Sequence, residues 1–256
     1  MKDVPRLMGV IHLQPLPGSP GAIHLDPSDA LQRAAEAAFK EAQLLSRAGF
    51  QALILENFGD VPFYGEQVPP ETIAAMSVIA TAVREVTRVP LGINVLRNDA
   101  RAALAIASVA GCEFIRVNVL SGVAAELVRE RARLGSSVRI FADAQVKHAR
   151  TLSSESIEQS VEDLVHRAYA DAVIVSGSGT GKAIERSKLQ DAGRVARKNR
   201  IPLYVGSGVT AESLESVMEH AEGVIVSSAL RKKGQAGAPL DPARVKQFMT
   251  AWKRCR

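Results

Sequence analysis

Eight times along the chain, a short run of β-branched and aliphatic residues is followed by a loop and then by an alanine-rich amphipathic stretch. The apolar runs fall at 7–13, 51–56, 91–96, 113–119, 138–146, 171–176, 202–206 and 222–227. Strict strand–helix alternation leads to a parallel sheet covered by helices. Eight such units in 256 residues match a (β/α)8 TIM barrel, which needs about 250. The alternative is a doubly wound open sheet, but that fold carries its phosphate loop after the first strand. Here the glycine-rich segments come after the sixth and seventh runs. The expected fold class is therefore α/β, a (β/α)8 TIM barrel of the phosphate-binding type. No linker or shift in composition divides the chain, so residues 1–256 are read as a single domain.

The helix punctuation agrees. Asp26-Pro27 and Asp241-Pro242 each offer an N-cap and a proline at the first helical position. Leu31, Ala34, Ala35, Ala38, Ala42 and Leu45 line one face of the first helix. Gly49, Gly111 and Gly135 stand where helices must stop before the next strand.

Strands buried on both faces should be apolar throughout, yet several runs turn polar near their ends. The first ends "GVIHL" with His12, the second "LILEN" with Glu56 and Asn57, and the third "GINVL" with Asn94. In "FIRVNV", Ile115, Val117 and Val119 share one face, and Arg116 and Asn118 the other. The fifth run, "FADAQVKH", sets Asp143 and Gln145 on one face, followed by Lys147 and His148. An inward arginine costs several kcal/mol unless paired or solvated. Barrel enzymes keep their sites at the C-terminal mouth, so these residues are expected to converge there. A salt-bridge plug is the structural alternative, although apolar side chains would fill a barrel at lower cost. Lys147 shares a ligand with Asp143 only if the chain turns near Val146, because four extended residues span about 13 Å.

The segment "VSGSGTGKA" (175–183) is neither a P-loop nor a dinucleotide fingerprint. Ala183 stands where a P-loop needs Ser or Thr, and Lys182 where the third fingerprint glycine belongs. Small residues let backbone N–H groups approach an anion, and barrels often bind phosphate with the loops after strands seven and eight. Gly177, Gly179, Thr180 and Gly181, with Gly206, Ser207, Gly208, Ser227 and Ser228, are the expected phosphate-binding residues, and Arg231 could add charge. Tight turns without a ligand are the alternative.

The net charge of +5 is modest and aromatic residues make up 4%, so no base-stacking nucleic-acid surface is expected. No run approaches the roughly 18 apolar residues of a membrane span, which leaves peripheral association and homo-oligomerisation open. Cys112 and Cys255 suggest neither a disulfide framework nor a metal site, and a reducing cytoplasm is the expected compartment. We expect no cofactor. A divalent metal on His12, Glu56 and Asp143 is a lesser alternative, unsupported by any two-histidine spacing.

Together the segments "GVIHLQPLPGSPG" (9–21), "ENFGDVPF" (56–63), "PLGINVLRNDARAALAIA" (90–107), "FIRVNV" (114–119), "FADAQVKHA" (141–149) and "VIVSGSGTGK" (173–182) resemble the BtpA/SgcQ family over nearly the whole chain. The resemblance implies a phosphate-binding TIM barrel. In cyanobacteria it implies a link to photosystem I biogenesis. Family motif positions fall on His12, Glu56, Asn57, Asp60, Asn94, Asn98, Asp99, Arg116, Asn118, Asp143, Lys147 and His148. The chain departs from the pattern in a shorter loop after the fourth strand and in Ser227, where glycine is common and where a side chain would narrow the room for a phosphate.

Two functions follow as expectations. One is an enzyme of lyase or isomerase type on a phosphorylated, sugar-like small molecule. Glu56, Asp143, Lys147, His12 and Arg116 would be its catalytic set, and Asn57, Asn94, Asn118 and His148 would bind substrate. The other is a non-catalytic accessory factor for a membrane complex. Because the loop after strand four is short, "LPGSPGAIHLD" (16–26) or "FGDVPFYGEQVPP" (58–70) is expected to cover the mouth.

Overall fold

In the computed structural model, which describes residues 4–145, 156–177 and 183–255, eight parallel strands close into a barrel in sequence order. The strands are β1 (Leu7–His12), β2 (Ala52–Glu56), β3 (Leu91–Asn94), β4 (Phe114–Val117), β5 (Arg139–Asp143), β6 (Ala172–Val175), β7 (Leu203–Val205) and β8 (Gly223–Val226). Between and after them run α1 (Pro27–Ala48), α2 (Pro70–Val86), α3 (Ala100–Val109), α4 (Ala124–Arg133), α5 (Ile157–His166), α6 (Arg186–Lys198), α7 (Leu214–Met218) and α8 (Pro242–Arg254). Closure is made by β1 against β8, with Leu7 opposite Val224, Met8 opposite Ile225 and Gly9 opposite Val226.

Register and side-chain alternation divide the apolar residues into two cores. Leu7, Ile11, Leu53, Leu55, Ile115 and Val117 face outward into the layer shared with the helices. Met8, Val10, Ile54, Phe114, Phe141, Ile174, Tyr204 and Ile225 face inward and fill the barrel. Phe114 stacks on Phe141 at 4.6 Å, and Phe141 on Tyr204 at 5.4 Å. Gly92 makes room for this stack, because a Cβ there would lie 2.2 Å from the Phe114 ring. With the axis blocked by aromatics, the next inward position on each strand lies at the C-terminal mouth.

The helices begin and end where the sequence predicts. Gly49 closes α1 in the left-handed region at φ 102°, where a residue without a Cβ carries no penalty. Asp241 caps α8 by accepting from the Ala243 N–H. The Asp26 side chain makes no capping bond, so α1 rests on Pro27 and on its buried Ala30, Ala34, Ala38, Ala42 and Leu45. Only residues 118–123 separate β4 from α4, while residues 57–69 separate β2 from α2.

Candidate active site at the barrel mouth

The inward alternation continues past the aromatic plug and becomes polar. His12, Glu56, Asn94, Arg116, Asn118 and Asp143 line one cavity of about 250 Å³, together with Ser176, Gly206, Ser207, Gly208, Ser227 and Ser228. Strand pairing sets the first three side by side, with His12 opposite Glu56 and Glu56 opposite Asn94.

Arg116 is paired within the cavity wall. Its Nε donates to Asp143 Oδ2 at 3.2 Å and its Nη2 to Oδ1 at 3.0 Å. Burial disfavours the Arg116 charge, but Asp143 and Glu56 outweigh it and hold the guanidinium more firmly protonated than usual. Asn118 Nδ2 donates to Asp143 Oδ2 at 2.7 Å, so both Asp143 oxygens are engaged. Asn94 Nδ2 donates to the Arg116 carbonyl at 3.0 Å and to Asn118 Oδ1 at 3.1 Å. Gly206 lies close to this pair, since a Cβ there would sit 3.3 Å from Arg116 Nη2.

His12 stacks face to face on Phe58 at 4.1 Å. Its Nδ1 accepts from the Gly237 N–H at 3.0 Å, which leaves the ring proton on Nε2. Nε2 lies 2.9 Å from Ser227 Oγ and 3.8 Å from Glu56 Oε1. Burial first, then the charges of Arg231 and Arg116, lower the imidazole pKa to about 2.

Arg231, expected at the sequence level to add charge to an anion site, is 1% exposed and engaged elsewhere. It pairs with Glu41 at 2.9 and 3.0 Å and donates to the Val10 carbonyl at 2.9 Å and the Ala238 carbonyl at 2.7 Å. Its Nε donates to Ser227 Oγ at 3.3 Å. It anchors the segment after β8 to β1 and α1.

Several predicted residues stand apart from the cavity. Asn57 follows the inward Glu56 and therefore points outward. Its Oδ1 accepts from the Leu96 N–H at 2.7 Å and its Nδ2 donates to Asp60 at 3.2 Å. Asp60 also accepts from the Leu16 N–H at 2.8 Å. Asn98 brackets Val119 through its N–H and carbonyl, and Asp99 caps α3 while accepting from the Val68 N–H. These motif residues tie the mouth loops together. Gly177 is buried and is not a lining residue of the cavity. Lys147, His148, Gly179, Thr180 and Gly181 lie outside the described residues. Among the described residues, no three His, Cys, Asp or Glu side chains group as a metal site.

Phe58, Phe63, Leu96 and Arg97 also line the cavity, and none was expected as an individual residue. Phe58 and Phe63 belong to one of the two loops expected to cover the mouth. Residues 58–70 contribute Phe58 and Phe63 to the mouth, while Gly18, Ser19 and Pro20 line a second cavity of about 370 Å³ that shares Phe63 and Leu96 with the first. The signal in the sequence was a long connection bearing three aromatics, Phe58, Phe63 and Tyr64. No described helix is long and apolar enough to cross a membrane.

The fold is shared with solved barrels at low identity. Similar structures include N-(5'-phosphoribosyl)anthranilate isomerase from Pyrococcus furiosus, at TM-score 0.57 and 18% identity over 97% of this chain and 99% of that one. A thiamine phosphate pyrophosphorylase from Pyrococcus furiosus matches at TM-score 0.58 and 13% identity, over 97% and 96%. Relatives by sequence are much nearer. The photosystem I biogenesis protein BtpA of Synechocystis sp. is 40% identical over 96% of this chain and 87% of its own. An uncharacterised protein of Methanocaldococcus jannaschii is 42% identical over 95% and 93%. The BtpA family model matches residues 4–254, and the chain belongs to the BtpA family.

Proposed function

We propose that the barrel binds and transforms a phosphorylated, sugar-like small molecule at its C-terminal mouth. The observation that carries this reading is the single cavity that Glu56, Asn94, Arg116 and Asp143 line together with the small residues Gly206, Ser207, Gly208, Ser227 and Ser228. The small residues let backbone N–H groups approach the phosphate. Glu56, a carboxylate lining the cavity, is the proton-transferring group in this reading, and Asp143 holds Arg116 and Asn118 in place. Arg116 stabilises negative charge as it develops, and the neutral His12 serves as a donor rather than a base. Phe58 and Phe63 supply the water-excluding cover that the short loop after β4 does not.

The test is direct. Phosphate and sugar monophosphates are expected to raise the melting temperature of the purified protein, and mass spectrometry of retained metabolites should return a phosphate ester. No shift with any phosphorylated compound overturns the reading. A second reading, an accessory factor for a membrane complex, draws on the name of the Synechocystis relative. It also draws on the exposed Ile23, Val61 and Tyr64 of the loops near the mouth. Under that reading Glu56→Gln leaves the cellular function intact, whereas under the enzymatic one it abolishes it.

A further inference from the structure

Ser227, just after β8, and Asn94, at the end of β3, line the same cavity, and in each the direction of hydrogen bonding is fixed by partners. Ser227 Oγ receives two donors. His12 Nε2 must donate to it, because Nδ1 already accepts from the Gly237 N–H. Arg231 Nε, which has no acceptor capacity, donates as well. With both lone pairs taken, the hydroxyl proton has to point away from His12 and Arg231. Arg231 is itself locked by Glu41 and two carbonyls, so the arrangement cannot turn over.

Asn94 is the mirror case. The atom facing the Arg116 carbonyl must be the amide nitrogen, which fixes the other atom as Oδ1. That oxygen is buried and has no partner among the described residues. An acceptor left unpaired in a residue 1% exposed is destabilising, and such groups call for a partner.

We propose that Ser227 is a dedicated hydrogen-bond donor to the ligand's phosphate and Asn94 a dedicated acceptor for a hydroxyl or amine of the same ligand. The inference rests on the phosphate reading above and narrows it. The ligand is a monophosphate ester that also presents an O–H or N–H, not a carboxylate, to Asn94.

Isothermal titration calorimetry on the full chain separates the possibilities, with inorganic phosphate, glycerol phosphate and phosphoglycolate as probes. The native protein is expected to bind glycerol phosphate at least about fivefold more tightly than phosphoglycolate, and Ser227→Ala to weaken phosphate and glycerol phosphate about tenfold, the loss of one charge-assisted bond. If the native protein binds none of the three, the phosphate reading itself falls. If it binds them but Ser227→Ala binds phosphate equally well, the donor assignment is overturned. If phosphoglycolate matches glycerol phosphate, the acceptor assignment at Asn94 is overturned.

Discussion

Burial and the nearby charges of Arg231 and Arg116 hold the folded His12 pKa at about 2, against 6.5 for an unperturbed histidine. Between these values the unfolded chain binds one proton more than the folded one. Stability from this residue is therefore intact above pH 6.5 and is lost as pH falls, by at most about 1.4 kcal/mol per pH unit. His12→Gln should lower stability at neutral pH yet flatten the acid limb, losing roughly 2 kcal/mol less between pH 7.5 and 5 in urea titrations. An unchanged acid limb would assign the proton uptake to another group. Residue-level reading succeeded where alternation alone decides the matter. Arg116 and Asn118 alternate with Ile115 and Val117 and do face the axis. The same rule, applied to Asn57 beside Glu56, would have turned its amide away from the mouth. Arg231 was illegible, because its partners Glu41 and Val10 lie some two hundred residues earlier and meet it only once the sheet has closed.

At the scale of elements, β3 and β4 fit together through a missing side chain. Gly92 stands opposite Phe114 in the sheet, and a Cβ would meet the ring at 2.2 to 2.6 Å. Gly92→Ala should therefore cost about 1–3 kcal/mol or more by overpacking. Phe114→Leu in the same chain should recover part of that loss, although the single Phe114→Leu change is itself destabilising. Thermal unfolding of the four proteins measures the coupling, and simple additivity would show that the ring is not the obstacle. Alternation and turn residues made the strands and helices legible in sequence. Which glycine accommodates which ring was not, because that pairing depends on register between neighbouring strands.

For the whole molecule, α8 is the last piece of the wall and packs against α1. It buries Val245, Phe248, Met249 and Trp252, together worth roughly 6–12 kcal/mol. That is comparable with the roughly 5–15 kcal/mol by which a whole domain is stable. A chain ending after Leu240 should lack a cooperative thermal transition. A native-like melt would show that the helix covers the barrel without holding it closed.

The pairing of β1 with β8 also sets a timetable for the nascent chain. One edge of β1 has no partner until the ribosome has added the roughly 210 residues that lead to β8, a wait of about 10–40 s at ordinary elongation speeds. Throughout that interval an apolar strand edge is open to foreign chains. His12 meets Gly237, and Glu41 meets Arg231, only after it ends. The first-made strand of the barrel thus receives its final neighbours last, and crowding during synthesis is the moment when this protein is most exposed to mispairing.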